Sequence, residues 1–343
     1  MLNFSKLSSV CILLSINLFS DVPSKVFPNA LNVNSRTSAS IQGNFIYWIP
    51  TQEGLYFAET KTHQTYEKRS APYHVEPGYK VGLSLYPNFD GADLSFRFTW
   101  FNQPTKVKTY AVDPGLDCDI NPDGKICEIN AENLGYYSKP YQFMETIHAA
   151  SSAWAFQIME ADIEFGKRFK ISRSLFTRPY LGIKSIWQKQ KFSIDYDLNF
   201  HQMLYLSESI ESNQHSFGIG PRTGLDVKYR FNRRFGLFGN AAYSLISTRF
   251  KNGASINTYT ESLASSQVFD SSKKVSEIQP VFESLIGIDF DTYYLKNRYH
   301  INYFLGWEFQ YLVQNNHLII NPQDLRDGDL SLQGLNFKMQ FDF

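Results

Sequence analysis

The chain has 343 residues, and its 33 Lys and Arg are balanced by 33 Asp and Glu. Zero formal charge removes the electrostatic footprint of a nucleic-acid binder, and the length fits one large domain or two ordinary ones. Aromatic residues make up 16% of a chain that is hydrophilic on average. No apolar run beyond the N-terminus approaches the 18 or so residues of a spanning helix, so any membrane crossing must be made by strands.

Residues 1–20 read as a secretory signal, with Lys6 in the charged region and Leu7 to Phe19 as the apolar core. Cleavage after Ser20 removes Cys11 and leaves Cys118 and Cys127, an even pair in an oxidising compartment that points to a disulfide. Residues 21–38 form a loose N-terminal periplasmic segment.

From residue 39 the chain reads as alternating strands. Ile41, Phe45, Tyr47 and Ile49 share one face of the first. A hairpin follows, with Tyr79, Val81, Leu83 and Leu85 on one arm and Leu94, Phe96, Phe98 and Trp100 on the other. Residues 102–150 form the longest connection. The segment 151–165 changes parity between Trp154-x-Phe156-x-Ile158 and Ala161-x-Ile163-x-Phe165, which a β-bulge near Met159 and Glu160 would explain. Further strands cover 176–196, 216–231, 235–250, 276–290 and 299–311, with Pro221 a weak point in pairing.

The last strand alternates Leu335, Phe337, Met339, Phe341 and Phe343 with Asn336, Lys338, Gln340 and Asp342. One face suits lipid and the other a lumen. The pattern Phe337, Met339, Phe341, Phe343 resembles the insertion signal read by the barrel assembly machinery of bacterial outer membranes, and this strand is expected to pair with 39–49.

Ten strands result, joined alternately by long and short connections. That order predicts an all-β, antiparallel transmembrane β-barrel over 39–343, with long extracellular loops and short periplasmic turns. Twelve strands are the alternative, with a hairpin hidden in 102–150. Aromatic residues near strand ends, among them Trp48, Trp100, Trp187, Tyr229 and Trp307, suit interfacial girdles. Location in a bacterial outer membrane follows, with its lipid as one partner and a homo-oligomer open.

By parity the lumen carries Arg97, Lys184, Arg222, Asp226, Lys228, Glu283 and Glu308. A barrel of this size has a bore close to filled by side chains, so paired charges plugging it compete with an open channel. Glycines on the same face, including Gly82, Gly182, Gly220 and Gly224, argue for space.

In the longest loop, Asp119-x-Asn121-x-Asp123-Gly124-Lys125 resembles the first half of an EF-hand loop. Three oxygen side chains and the Lys125 carbonyl suit a weak Ca²⁺ site. Asn130 stands where the bidentate acid belongs, and a polar loop tip stapled by Cys118 and Cys127 accounts for the same residues. No other cofactor is expected. A rim hydrolase would need His148, His201 or His215 beside an acid or serine, but none lies in a recognisable motif; the chain is read as a non-enzyme.

Phe45-Ile-Tyr-Trp48, Thr51-Gln-Glu-Gly-Leu55, Glu76-Pro-Gly-Tyr-Lys-Val-Gly82, Asp162-Ile-Glu-Phe-Gly166, Arg178-Pro-Tyr-Leu-Gly182 and Gly220-Pro-Arg-Thr-Gly224 span most of the mature chain. Together they resemble the pore-forming outer-membrane protein family of Legionella and chlamydia-related bacteria. The resemblance implies a porin-like barrel passing small solutes by diffusion, with no catalytic residues. A surface structural or adhesive barrel with a plugged lumen is the alternative.

Overall fold

The computed structural model describes residues 38–62, 65–87, 91–111, 146–200, 204–260, 263–294, 299–321, 324–325 and 327–343. Its barrel strands are β1 (Ser38–Gln52), β2 (Glu76–Tyr86), β3 (Ala92–Ala111), β4 (Thr146–Lys167) and β5 (Leu175–Phe200). They continue as β6 (Leu204–Arg230), β7 (Phe235–Thr260), β8 (Leu263–Tyr294), β9 (Tyr299–Leu312) and β10 (Leu330–Asp342). Each pairs antiparallel with its sequence neighbour, and β1 pairs with β10, so the sheet closes on itself. Closure leaves no strand edge to face lipid, where unpaired backbone groups find no water.

The closing seam is the expected one. Ile41 lies opposite Phe341 and Phe45 opposite Phe337, and Ala39 and Phe343 exchange two backbone hydrogen bonds of 3.1 and 3.0 Å. Phe337, Met339, Phe341 and Phe343 all project outward. They join a belt of exposed apolar side chains that includes Val81, Phe96, Ile183, Leu237, Ile288 and Leu305. From β10 to the residue after it, this outward run extends from Leu335 to Phe343, matching the roughly 9–11 residues of a tilted membrane-spanning strand.

The barrel wall is uneven. β9 has 14 residues and β10 has 13, whereas β5 to β8 have 26 to 32. At the expected loops 197–212 and 251–275 the described residues are instead mostly paired strand: β5 to β8 continue past the membrane, with pairing as far as Phe200 opposite Leu204 and Thr260 opposite Leu263. The 102–150 connection likewise contributes strand at both ends, to Ala111 and from Thr146. Residues 50–76 hold a hairpin, Tyr56–Thr62 with Thr65–Ser70.

Pairing of β4 runs unbroken through Met159 and Glu160, so the expected bulge is absent there. Every even residue from Ser152 to Glu164 faces inward. The parity change has another cause. Trp154, Phe156 and Ile158 pack inside the upper bore, while Ile163 and Phe165 face lipid lower on the same strand. Trp48 is also fully buried in the bore and is no girdle residue. Pro221 does interrupt its ladder: β6 and β7 pair at Arg222–Ser244 and Ile219–Ser247 but not between.

Leu305 sits at the centre of the outward run on β9. Leu305→Arg is expected to destabilise the barrel by about 2–4 kcal/mol, the cost of a cation at mid-bilayer on a lipid face. Urea unfolding in lipid vesicles measures this, and an unchanged midpoint would remove the belt from the bilayer.

Candidate functional site: an occluded lumen

The bore is filled at two levels. The lower level is ionic. Three acids at alternate positions of β4, Glu160, Asp162 and Glu164, point inward. Lys184, with no solvent exposure, contacts Glu160 at 3.0 Å, Glu283 at 3.1 Å and Asp162 at 3.4 Å. Arg222 bonds Glu164 at 3.2 Å and also Glu283. Arg97 donates to Glu164 at 2.8 Å. Arg178 reaches Asp93 at 2.5 Å and Asp226 at 2.9 Å. Charges this far from water persist because each is paired and hydrogen-bonded; an unpaired one would carry its full desolvation cost.

A second cluster closes the other side. Lys80 donates to Glu308 at 2.5 Å, and Asn336 bridges Glu308 at 2.7 Å and Asn44 at 2.8 Å. The two clusters meet where Gln310 Nε2 donates to Glu160 Oε2 at 3.2 Å. Gln310 is on β9 and Glu160 on β4, five strands apart either way around a ten-strand ring. That hydrogen bond therefore crosses the full diameter.

Glycines do not open this cross-section. A Cβ at Gly224 would lie 2.4 Å from the Tyr180 phenol, one at Gly166 2.5 Å from the Arg178 guanidinium, and one at Gly82 2.6 Å from the Gln42 amide. Neighbouring side chains occupy the room these three glycines leave, and at Gly182 and Gly220 the backbone carbonyls of Ile163 and Leu245 do so. Nearer the periplasmic turns, Lys228 pairs with Asp289 and with Asp291 at 3.0 Å. His300 bridges Asp291 at 2.9 Å and Asp342 at 2.5 Å.

The upper level is an apolar and amide plug made by the connections after β1 and β9. Leu55, Phe57, Ala71, Leu318 and Ile320 are buried against Trp154, Phe192, Ile194, Tyr196 and Ile256 of the tall wall. Tyr196 donates to the Phe57 carbonyl at 2.8 Å. Tyr73 donates to the Gln52 carbonyl at 2.8 Å, and burial pushes its phenol up to about 12, which keeps it a donor. Gln214 both donates to the Asn315 carbonyl and accepts from the His317 N–H, each at 2.8 Å. Gln314 takes a left-handed φ of 50° as the chain turns from β9 into the bore, with its N–H bonded to Asp329 at 2.7 Å. Burial holds the His317 imidazole below its ordinary range, against the pull of Glu277 at 3.5 Å.

All seven expected lumen residues thus face the bore: Arg97, Lys184, Arg222, Asp226, Lys228, Glu283 and Glu308. Sequence reading missed Glu160, Asp162, Glu164 and Arg178 as partners. The three acids had a legible signal, strict alternation, masked by the apolar Trp154, Phe156 and Ile158 on the same face above them. The expected Ca²⁺ residues Asp119, Asn121, Asp123 and Lys125, the pair Cys118 and Cys127, and His201 lie outside the described residues, as does the side chain of His148. Among the described residues no cluster of His, Cys, Asp and Glu is arranged to hold a metal ion. His215 projects outward from β6, away from the bore.

The profile of a family described as the Legionella pneumophila major outer membrane protein precursor matches residues 33–343. The chain belongs to this family. Its place is therefore the bacterial outer membrane, and the exposed apolar belt suits a barrel that crosses a bilayer. No curated protein matches the chain. Among solved structures, the outer membrane protease OmpT of Escherichia coli aligns over 94% of this chain and 99% of its own, at 10% identity and a TM-score of 0.40. A major outer membrane protein of Thermus thermophilus aligns over 90% of this chain and 99% of its own, at 11% identity and a TM-score of 0.28. A Pseudomonas aeruginosa FadL homologue aligns over 92% of both chains, at 7% identity and a TM-score of 0.27.

Removing one member of the ionic level leaves buried charge without a partner. Arg222→Ala is expected to cost about 3–5 kcal/mol, read as a lowered unfolding midpoint of the refolded barrel. A change below about 0.5 kcal/mol, the range of ordinary surface substitutions, would mean the network does not form. The plug carries a pH dependence of definite sign. The depressed His317 value favours the neutral ring in the folded plug, so its contribution is full above about 6.5 and lost as pH falls through the folded value. Amide exchange of residues 315–320, corrected for intrinsic rates, should therefore be faster at pH 5 than at pH 7.5, and His317→Gln should remove the difference. Equal protection at both pH values contradicts this.

Proposed function

We propose that this family member acts as a closed surface barrel of the outer membrane, with its lumen occluded at rest. The hydrogen bond between Gln310 and Glu160 across the full diameter carries this reading. It is supported by Lys184 and Arg222, which are 0% and 2% exposed at the same level. A solute moving through the bore must break charge-assisted contacts that have no water to replace them. The reading is non-enzymatic, because the acids and bases of the ionic level are committed to one another.

One observation favours a second reading, diffusion of small solutes through a gated bore. The upper plug is built from connecting segments, not wall strands, so it can leave without breaking the barrel. The ionic level would then be the gate.

Planar-bilayer recordings of the refolded chain separate the two. The closed reading expects no steady open level for the natural sequence. The gated reading expects conductance to rise when Lys184 and Glu283 are both replaced by Ala, a pair deletion that leaves less uncompensated charge than either single change, whereas the closed reading, with the upper plug in place, expects no rise. Steady open steps from the unaltered chain would sink the closed reading.

A further inference from the structure

The outer surface of the tall wall carries a feature that the barrel itself does not need. Directly opposed register partners place Lys189 of β5, His215 of β6, Lys251 of β7 and Lys274 of β8 in one horizontal row. All four project outward and are exposed. At a strand spacing of about 4.8 Å the row spans roughly 14 Å. Like charges placed directly opposite one another weaken a sheet, and among the described residues none of the four makes an ion pair. Outward carboxylates stand apart: Glu211 and Asp270 lie opposite Ser255, four residues beyond Lys251, and Glu211 is already paired to Lys191 at 3.2 Å.

The height of the row identifies what it meets. One outward step toward the membrane, the register places Trp187, Phe217, Arg249 and Ser276 side by side, with the two aromatic rings 5.4 Å apart. One step further down are Ile219 and Ile278, 48% and 70% exposed and part of the lipid belt. The basic row therefore lies at headgroup level, on the side away from the short turns. Under the usual orientation of such barrels that is the outer leaflet. A depression of about 500 Å³ opens here, lined by His215, Phe217, Ser247, Arg249, Lys251 and Ser276.

We propose that this row is a binding site for the phosphate-bearing headgroup of an outer-leaflet glycolipid. Lys189, Lys251, Lys274 and Arg249 contact phosphate oxygens, and Phe217 and Trp187 pack on the first carbons of the acyl chains. Cations near a membrane surface attract anionic headgroups, and charge-assisted contacts to phosphate are short and strong. Ligand charge also offsets the repulsion within the row, which no protein group among the described residues does. This site is on the outside of the barrel, so it stands or falls apart from the state of the lumen.

The test titrates the refolded full-length barrel in detergent with four probes: phosphorylated lipopolysaccharide, the same lipid after phosphatase treatment, phosphatidylglycerol and inorganic phosphate. Phosphorylated lipopolysaccharide is expected to bind about tenfold or more tightly than its dephosphorylated form, and the K189Q/K251Q/K274Q variant to lose about tenfold or more. Lys170→Gln, near a short turn at the opposite end, should bind as the unaltered chain does. Equal affinity for the two lipopolysaccharides overturns the proposal. So does equally tight phosphatidylglycerol, which would indicate general anionic attraction, or displacement of the lipid by millimolar phosphate, which would indicate a free-anion site. If the triple variant fails to give a heat-modifiable barrel, the comparison of the two lipopolysaccharides on the unaltered chain still decides.

Discussion

Lys184 is the point on which the interior depends. Its ammonium sits at the centre of the bore, shared among Glu160, Asp162 and Glu283 from two other strands. A charge so placed leaves water only if its partners are fixed in position beforehand. The barrel supplies that fixation, since closure of the sheet sets the distance from β4 to β5 and β8. The network in turn resists any change in strand register, because a one-residue slip would turn all of its charges toward lipid.

The uneven wall follows from a different constraint. Within the bilayer every strand needs only about ten residues, and β1, β2, β9 and β10 exceed this by little. β3 to β8 continue, and their inward faces above the membrane carry apolar side chains, with Phe192, Ile194, Ile210 and Ile256 open to water unless something covers them. The connections after β1 and β9 bend inward and do so. The plug is thus the hydrophobic core of a half-barrel standing outside the membrane, built by the same burial that drives folding of water-soluble domains. Beneath it the ionic level seals the part of the bore within the membrane.

Outside, the same tall wall passes from lipid belt to aromatic pair to basic row within a few residues. That sequence of surfaces mirrors the membrane from acyl chains to headgroups. Inside and outside of one set of strands therefore answer to different solvents, with alternate residues assigned to each.

The sequence by itself determined the fold: alternation along ten segments, the seam between 39–49 and 332–343, and the outward Phe337, Met339, Phe341 and Phe343. These are local properties, because a period of two and a turn can be read along one strand. It also placed the seven charged residues on the lumen face. Only the tertiary structure decided whom they meet, because Gln310 and Glu160 are 150 residues apart and become partners through ring closure alone. It likewise decided that Trp48, Trp154 and Phe156 fill the bore. An apolar residue at a given parity reads the same whether it faces lipid or a folded-in connection. What separates the two is which segment lies on the other side, and that is a property of the closed barrel.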